Sequence, residues 1–213
     1  MKTETKVLLL IIASAVILTL NTDEKAPKRR KNAMDDFLIF QNFNRKMNPE
    51  FRKNFLQEVR ALADRVGIDP NWLMFVMRYE SGISASIKNK KSNAVGLIQF
   101  MPKTLQGEFN MTTDQMAALN EIQQLKYVEK YLTKYGYHKR VKDPGTLYFS
   151  IYYPLALYRG DGFTLPKWVS DANPVFNVAD VSKDGLISKR EFINHINQKF
   201  ENDLKIERNR SKK

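Results

Sequence analysis

The chain has 213 residues, of which 43% are hydrophobic and 11% aromatic, and it carries a formal net charge of +12. This apolar content can supply a buried core, which excludes a globally disordered chain. Cysteine is absent, which excludes disulfide bonds, thiol catalysis and cysteine-based zinc sites. Much of the positive charge lies in two runs, 25–31 and 205–213. Anionic wall polymers or a membrane surface suit such runs, and we expect no nucleic-acid partner.

The N-terminal region contains an uncharged run of 14 residues from Val7 to Leu20. As a helix this run would span about 21 Å, less than the roughly 30 Å of a hydrocarbon core. Its length is typical of a signal peptide, but no small-x-small cleavage site follows it, which favours an uncleaved membrane anchor. A helix buried in a larger assembly, such as a virion, is the alternative. We predict a signal or anchor segment over residues 1–22 and a charged linker over 23–47.

Two pairs of residues predict where helices begin. Asn48 precedes Pro49 and Asp69 precedes Pro70, and in each pair the first residue can cap a helix whose first position suits proline. Between the two pairs, apolar residues repeat at helical spacing until Gly67 ends the run: Phe51, Phe55, Val59, Leu62 and Val66. We therefore expect one helix from Pro49 to just before Gly67, and a second that starts at Pro70.

The second helix carries one carboxylate, Glu80, on its apolar face. Leu73, Val76 and Met77 share one face, and Glu80 lies on that face one turn later. A charged carboxylate among apolar side chains loses hydration, so its pKa should rise. A raised pKa suits a general acid that works near neutral pH. Glu80 is therefore the candidate catalytic residue, and a solvated or capping carboxylate is the alternative.

The rest of the chain predicts a mainly α fold with few strand signals. Residues 84–93 are polar and basic and should form a mobile loop or a small hairpin, after which Pro102 begins a short helix. Residues 112–115 resemble a capping box, and a longer helix follows with this apolar stripe: Ile122, Leu125, Val128, Leu132 and Tyr135. A further helix should start at Asp143-Pro144 and continue to Tyr158 with a kink at Pro154.

Two stretches together resemble the soluble lytic transglycosylase family. They read Glu80-Ser81-Gly82 and Gly96-Leu97-Ile98-Gln99-Phe100-Met101-Pro102. Either motif alone is a weak signal, but the two at this separation are specific, and the resemblance covers roughly residues 48–158. It implies a lysozyme-like catalytic domain, which we place at 48–168, that cleaves the glycan strands of peptidoglycan. This substrate implies the cell envelope, in the periplasm or anchored to a membrane and facing the wall, or a phage virion.

The resemblance also implies a set of substrate-binding residues. Ser81 would hold substrate or cap its helix, and the amide of Gln99 would face the cleft or satisfy buried backbone groups. Phe100 and Met101 would line the cleft or belong to the core.

Two tyrosines complete the site that the resemblance implies. Tyr152 and Tyr153 lie where family members carry Ala-Tyr-Asn, and some phage-like members carry an aromatic pair followed by proline. One of the two would hydrogen-bond Glu80, with Tyr152 preferred, and either could instead be a core aromatic.

The reaction that the resemblance implies uses one carboxylate. Glu80 would protonate the β-1,4 glycosidic oxygen between N-acetylmuramic acid and N-acetylglucosamine and then act as the base that forms a 1,6-anhydro product. Glycosidases normally need two carboxylates, and residues 81–100 contain no Asp or Glu. One alternative is a hydrolytic lysozyme that uses Glu108, Asp114 or Asp161 as its second carboxylate. Another is a non-catalytic glycan- or wall-binding protein of a virion or a structural assembly.

A separate motif near the C-terminus matches the EF-hand calcium loop. Its oxygen ligands would be Asp180, Ser182, Asp184, Leu186 through its carbonyl, Ser188 and Glu191. Gly185 falls at the sharp turn of such a loop. We predict a structural Ca²⁺ that ties an EF-hand-like segment, 169–200, to the catalytic domain and precedes a charged tail, 201–213. A metal-free turn is the alternative.

Overall fold

The computed structural model describes residues 37–44, 46–167 and 179–212. In these ranges it has seven α-helices and only isolated β-bridges: α1 Pro49–Val66, α2 Pro70–Ser81, α3 Pro102–Phe109, α4 Thr113–Ala117, α5 Glu121–Lys134, α6 Pro144–Tyr152 and α7 Lys189–Ser211. The mainly α fold class is confirmed. The segment from Val7 to Leu20 lies outside the described residues, as does most of the predicted linker. Among the described helices, none is long and apolar enough to cross a membrane.

The first two helices begin and end where the sequence predicts. The side chain of Asn48 accepts hydrogen bonds from the first backbone amides of α1, and Gly67 ends that helix with a left-handed φ of 72°. The side chain of Asp69 accepts the amide hydrogen of Asn71 at the start of α2. Both helices are therefore defined locally, by a capping side chain before a proline and by a glycine that accepts positive φ without strain.

The core lies where α1, α2, α5 and α6 meet. α1 packs against α5 and α2, and α2 packs against α6. The inward side chains of α1 are fully buried (Phe55, Val59 and Leu62). At the edge of the α1–α5 contact, the guanidinium of Arg65 bridges Glu58 on α1 and Glu129 on α5 with N–O distances of 2.7–2.9 Å. This packing fixes the orientation of α2, which carries Glu80.

The predicted loop at 84–93 is a small hairpin, because Lys88 pairs with Val95 and the amide of Asn89 donates to Ala94 O at 2.8 Å.

The capping box at 112–115 is present, and a second one at Asn120 and Gln123 starts α5.

One helix end differs from the prediction. The kinked helix expected through Tyr158 is wrong, because α6 ends at Tyr152 and a short 3₁₀ turn, Pro154–Ala156, follows. Tyr153 leaves the helical region with φ −143° and ψ 66°. Proline disfavours the α conformation of the residue before it and lacks the amide that would continue the helix. The consequence is an end to the helix rather than a bend in it.

The C-terminal helix α7 packs directly on α6. The amide of Gly145 donates to Asn197 Oδ1 at 2.7 Å, and a Cβ on Gly145 would lie 2.5 Å from the carbonyl oxygen of Ile193. At the start of α7, the buried ammonium of Lys189 donates to the carbonyls of Leu157 and Arg159, both at 2.7 Å. These contacts attach α7 to the helical domain at a close and specific distance.

Candidate active site

Glu80 lies in the last turn of α2, where its side chain is partly buried. Leu73, Val76 and Met77, which share its face, are fully buried. Burial raises the pKa of Glu80 to about 7, and a hydrogen bond from Tyr148 acts in the opposite direction. The expectation of a raised pKa therefore agrees with the structure, and its main cause is desolvation of the charged form. A carboxyl with this pKa exists in both protonation states near neutral pH.

The phenol that hydrogen-bonds Glu80 belongs to Tyr148 on α6. Tyr148 is buried, and burial together with the negative charge of Glu80 raises the pKa of its hydroxyl. The hydroxyl therefore stays protonated and donates to the carboxylate. This corrects the assignment of the role to Tyr152 or Tyr153. The ring of Tyr152 stacks on Phe192 with centroids 5.0 Å apart.

The ring of Tyr153 also packs within the protein. It stacks on the ring of Phe163 with centroids 6.1 Å apart. The residues at 148 and 152 share one helical face four residues apart, so spacing alone admits either of them. The packing of α6 against α2 decides which of the two tyrosines reaches Glu80. The sequence carries no signal that separates Tyr148 from Tyr152.

Ser81 binds within the protein rather than facing an open cleft. It is buried, and its hydroxyl lies 3.1 Å from the carbonyl oxygens of both Met77 and Leu97 and accepts the amide hydrogen of Ser84 at 3.2 Å. These bonds favour a structural role for Ser81, and its predicted contact with substrate stays a prediction. Ser81 connects the end of α2 to the segment 96–100, which is the second half of the motif.

Gln99 stabilises a tight turn in that segment. Its backbone has a positive φ of 53°, and its amide nitrogen donates to Gly96 O at 3.1 Å and Ile87 O at 3.3 Å. The alternative that Gln99 satisfies backbone groups therefore describes its amide nitrogen. The side chain is only partly buried, so its predicted contact with substrate stays a prediction.

Phe100 and Met101 are neighbours that differ completely in environment. Phe100 is 3% exposed, and its ring contacts Phe109 and Tyr131 edge to face. It belongs to the core, which is one of the two alternatives that the sequence left open for Phe100, and its buried ring argues against a direct contact with substrate. Met101 is 48% exposed and precedes the first turn of α3. Of this pair, Met101 is the residue available to a ligand.

Sequence reasoning missed Gln124, which organises the whole motif. Gln124 is fully buried in α5; its Oε1 accepts the amide of Leu97 at 2.9 Å, and its Nε2 donates to the carbonyls of Ala85 and Met116 at 2.8 Å. The backbone of Gly96 has φ +81°, and a Cβ there would lie 2.2 Å from Gln124 Oε1. Glycine is therefore required by both conformation and space. A polar residue on the apolar stripe of α5 was the available signal.

The three proposed second carboxylates are each paired with a cation. Glu108 accepts hydrogen bonds from Lys134 and Tyr135, which lower its pKa although burial opposes them. Asp114 pairs with Lys88, and Asp161 lies 3.8 Å from Arg190. Within the described ranges, the pKa of Glu80 is governed by burial and Tyr148, with no contribution from a neighbouring carboxylate. The site therefore has the character of a single-carboxylate site.

The predicted calcium loop folds around its own carboxylates. Asp180 accepts the amide of Gly185 at 2.9 Å, and Glu191 accepts the amides of Ser182 and Ser188 at 3.0 and 2.9 Å. The bonds from Ser188 and Ser182 lower the pKa of Glu191 to about 2. In the part of the chain that the structure describes, no three His, Cys, Asp or Glu side chains are grouped closely enough to hold a metal ion. The predicted donors are all oxygens, which is the chemistry that Ca²⁺ prefers.

Part of the chain matches a known family. Residues 57–152 match the family described as the transglycosylase SLT domain. The match includes α2, the segment 96–100 and all of α6, and it therefore contains Glu80 and Tyr148. No curated protein matches the chain.

Proposed function

Because residues 57–152 are a transglycosylase SLT domain with a lysozyme-like fold, we propose that the protein is a lytic transglycosylase. It cleaves the β-1,4 bond between N-acetylmuramic acid and N-acetylglucosamine in peptidoglycan. The observation that carries the proposal is the desolvated carboxyl of Glu80, whose pKa of about 7 makes it an acid and a base in turn. Proton transfer is most efficient when the pKa of the catalytic group lies near the working pH.

The first step is protonation of the leaving group. Glu80 in its neutral form donates a proton to the glycosidic oxygen, and the bond from that oxygen to the anomeric carbon of the muramoyl residue breaks. The positive charge that develops at this carbon is stabilised by the carbonyl oxygen of the 2-N-acetyl group of the same sugar. Substrate assistance of this kind replaces the second carboxylate that other glycosidases use.

The second step uses the same carboxylate as a base. Glu80, now ionised and held by the Tyr148 hydrogen bond, removes the proton of the muramoyl 6-hydroxyl. The 6-oxygen bonds to the anomeric carbon and displaces the N-acetyl oxygen, which gives the 1,6-anhydro product. The proton given up in the first step is thereby recovered, so Glu80 returns to its starting state without consuming water.

The main competing reaction is hydrolysis by a lysozyme. It needs a second carboxylate or a positioned water, and the pairing of Glu108, Asp114 and Asp161 with cations argues against the first of these. Digestion of purified sacculi in heavy-oxygen water separates the two reactions. A transglycosylase releases fragments without heavy oxygen at the new ends, whereas a lysozyme adds one labelled oxygen to each new reducing end. Binding to sacculi without fragments would identify a non-catalytic module.

The location and the cofactor are further parts of the proposal. A peptidoglycan substrate favours the cell envelope or a phage virion, with the run from Val7 to Leu20 as the membrane anchor. We propose Ca²⁺ as a structural ion at 180–191. The oxygens of Asp180, Ser182, Asp184, Leu186, Ser188 and Glu191 would hold it.

A further inference from the structure

The helix α7 lies outside the matched residues 57–152, yet it contacts the helix that carries Tyr148. Phe192, in the first turn of α7, is fully buried. Its ring lies 6.1 Å from the ring of Tyr148, 5.4 Å from that of Phe149 and 5.0 Å from that of Tyr152. The contact with Tyr152 is nearly parallel, at 17°. Phe192 therefore packs among three aromatic rings of α6.

The position of Phe192 on α6 is fixed by backbone contacts rather than by apolar packing alone. The amide of Gly145 donates to Asn197 Oδ1 at 2.7 Å, and the missing Cβ of Gly145 leaves room for the carbonyl oxygen of Ile193. The buried ammonium of Lys189, three residues before Phe192, donates to two carbonyls that follow the 3₁₀ turn. Sliding α7 along α6 would break these hydrogen bonds. They therefore fix the position of Phe192 against α6.

Geometry at Tyr148 matters because a hydrogen bond weakens steeply when its donor is misaligned. A buried tyrosine ring can turn about two side-chain bonds unless its neighbours prevent it, and interiors are close-packed enough to do so. We propose that Phe192 is a positioning residue that holds the Tyr148 ring so that its hydroxyl stays on Glu80. The catalytic centre is then completed by a helix outside the SLT match. This inference rests on the proposed function for its catalytic consequence, but not for its geometry.

The charged and titratable groups near this contact belong to three helices. Tyr148 and Tyr152 come from α6, and Tyr79 comes from α2. From α7, Asp203 accepts the hydroxyl of Tyr79, and Lys199 lies 4.5 Å from the centroid of the Tyr79 ring. Burial lowers the pKa of His195, and the positive charge of Lys199 lowers it further. A change of Phe192 to another apolar residue leaves all of these charges in place.

The test compares two matched changes in the full chain, Phe192→Leu and Phe200→Leu. Phe200 is also a buried phenylalanine of α7, but its ring packs on Phe75 at 5.5 Å. Phe192→Leu removes the three ring contacts with α6, Phe200→Leu removes the contact with Phe75, and both changes retain an apolar side chain. We expect Phe192→Leu to lower kcat on soluble glycan strands about tenfold, with KM changed by less than about twofold. Phe200→Leu should leave kcat within about twofold at a temperature where both variants are folded.

A second readout does not depend on turnover. The carboxyl resonance of Glu80 in isotope-labelled protein reports its pKa by NMR titration. Loosening Tyr148 removes stabilisation of the carboxylate, so Phe192→Leu should raise this pKa toward the value in Tyr148→Phe. In the Tyr148→Phe background, adding Phe192→Leu should then change neither the pKa nor kcat further. If Phe192→Leu does not fold, Phe192→Met carries the same comparison, because methionine fills irregular space.

Three outcomes would overturn the inference: an unchanged pKa of Glu80, a loss of kcat no larger than in Phe200→Leu, or fully additive effects with Tyr148→Phe. Failure of the proposed function looks different. In that case wild-type protein would release no fragments from sacculi, while the NMR titration would still decide whether Phe192 holds Tyr148.

Discussion

Tyr148 on α6 donates a hydrogen bond to the carboxyl of Glu80 at the end of α2, and this bond opposes the effect of burial. Burial disfavours the charged carboxylate, whereas a donated hydrogen bond favours it. The two effects leave the pKa of Glu80 at about 7 instead of its ordinary 4.5. A pKa near 7 is what the two proton transfers of the proposed mechanism require of Glu80.

The stability of a Glu80→Gln variant should depend on pH in a defined direction. A carboxyl with a raised folded-state pKa contributes full stability below about pH 4.5 and loses it as pH rises through 7. Glutamine does not titrate, so the variant should match the wild type in acid and exceed it above pH 7. The shift corresponds to up to about 3 kcal/mol of unfolding free energy, or several degrees in Tm. Thermal melts from pH 4 to 9 measure this, with the exposed Glu201→Gln as control. A constant Tm difference would contradict the burial of the carboxyl.

The pH profile of activity should move when the phenol is removed. Because the general acid must be protonated, kcat/KM should fall as pH rises above about 7. Tyr148→Phe removes a donor that favours the carboxylate, so the alkaline limb should shift to higher pH while the maximal rate falls. Rates on sacculi across pH 5–10 measure both effects. If the alkaline limb of the pH profile stays at the same pH, or shifts to lower pH, Tyr148 does not act on Glu80.

Gln124 should be essential for stability rather than for chemistry. Gln124→Met leaves the amide of Leu97 and the carbonyl of Ala85 without their side-chain partner, whereas the carbonyl of Met116 keeps the amide of Leu119 at 3.1 Å. Each buried unsatisfied group costs about 1–3 kcal/mol, so the two groups together should cost about 2 kcal/mol or more. Urea denaturation measures it, with the exposed Gln57→Met on α1 as the control. A loss below 1 kcal/mol would mean that water replaces the amide.

Phe100 and Met101 should respond in opposite ways to truncation. Phe100→Ala removes a buried ring and should cost about 3–5 kcal/mol of stability. Met101 is exposed, so Met101→Ala should leave Tm within a degree or two. If Met101 lines the cleft, its loss should raise KM for glycan strands without changing the pH profile. An unchanged KM would show that Met101 does not contact the substrate.

Calcium should stabilise the chain through the loop at 180–191. We expect Ca²⁺ to raise Tm and a calcium chelator to reverse the rise, because binding only to the folded state stabilises it. Asp180→Ala should abolish this difference, whereas the exposed Asp64→Asn should preserve it. The absolute Tm of Asp180→Ala is a poor guide, since Asp180 also accepts the amide of Gly185. If neither Ca²⁺ nor the chelator changes the Tm of the wild type, the calcium proposal is wrong.

What could be predicted from the sequence depended on whether the determinant was local. Asn48, Asp69 and Gly67 specify their helix ends through neighbouring backbone groups, and these ends are confirmed. The raised pKa of Glu80 followed from its helical face alone. The choice between Tyr148 and Tyr152 depended on the rotation of α6 against α2, which spacing cannot resolve. Gln124 was missed because its partners lie 8, 27 and 39 residues away.

Mass spectrometry of muropeptides decides whether Glu80, without a second carboxylate, forms the proposed 1,6-anhydro product. Purified sacculi are digested with the full wild-type chain and, in parallel, with Glu80→Gln at pH 6 and at a temperature where melting curves show that both are folded. We expect muropeptides that end in 1,6-anhydro-N-acetylmuramic acid with the wild type and none with the variant. Reducing-end muropeptides from the wild type, or undiminished anhydro products from Glu80→Gln, would contradict it.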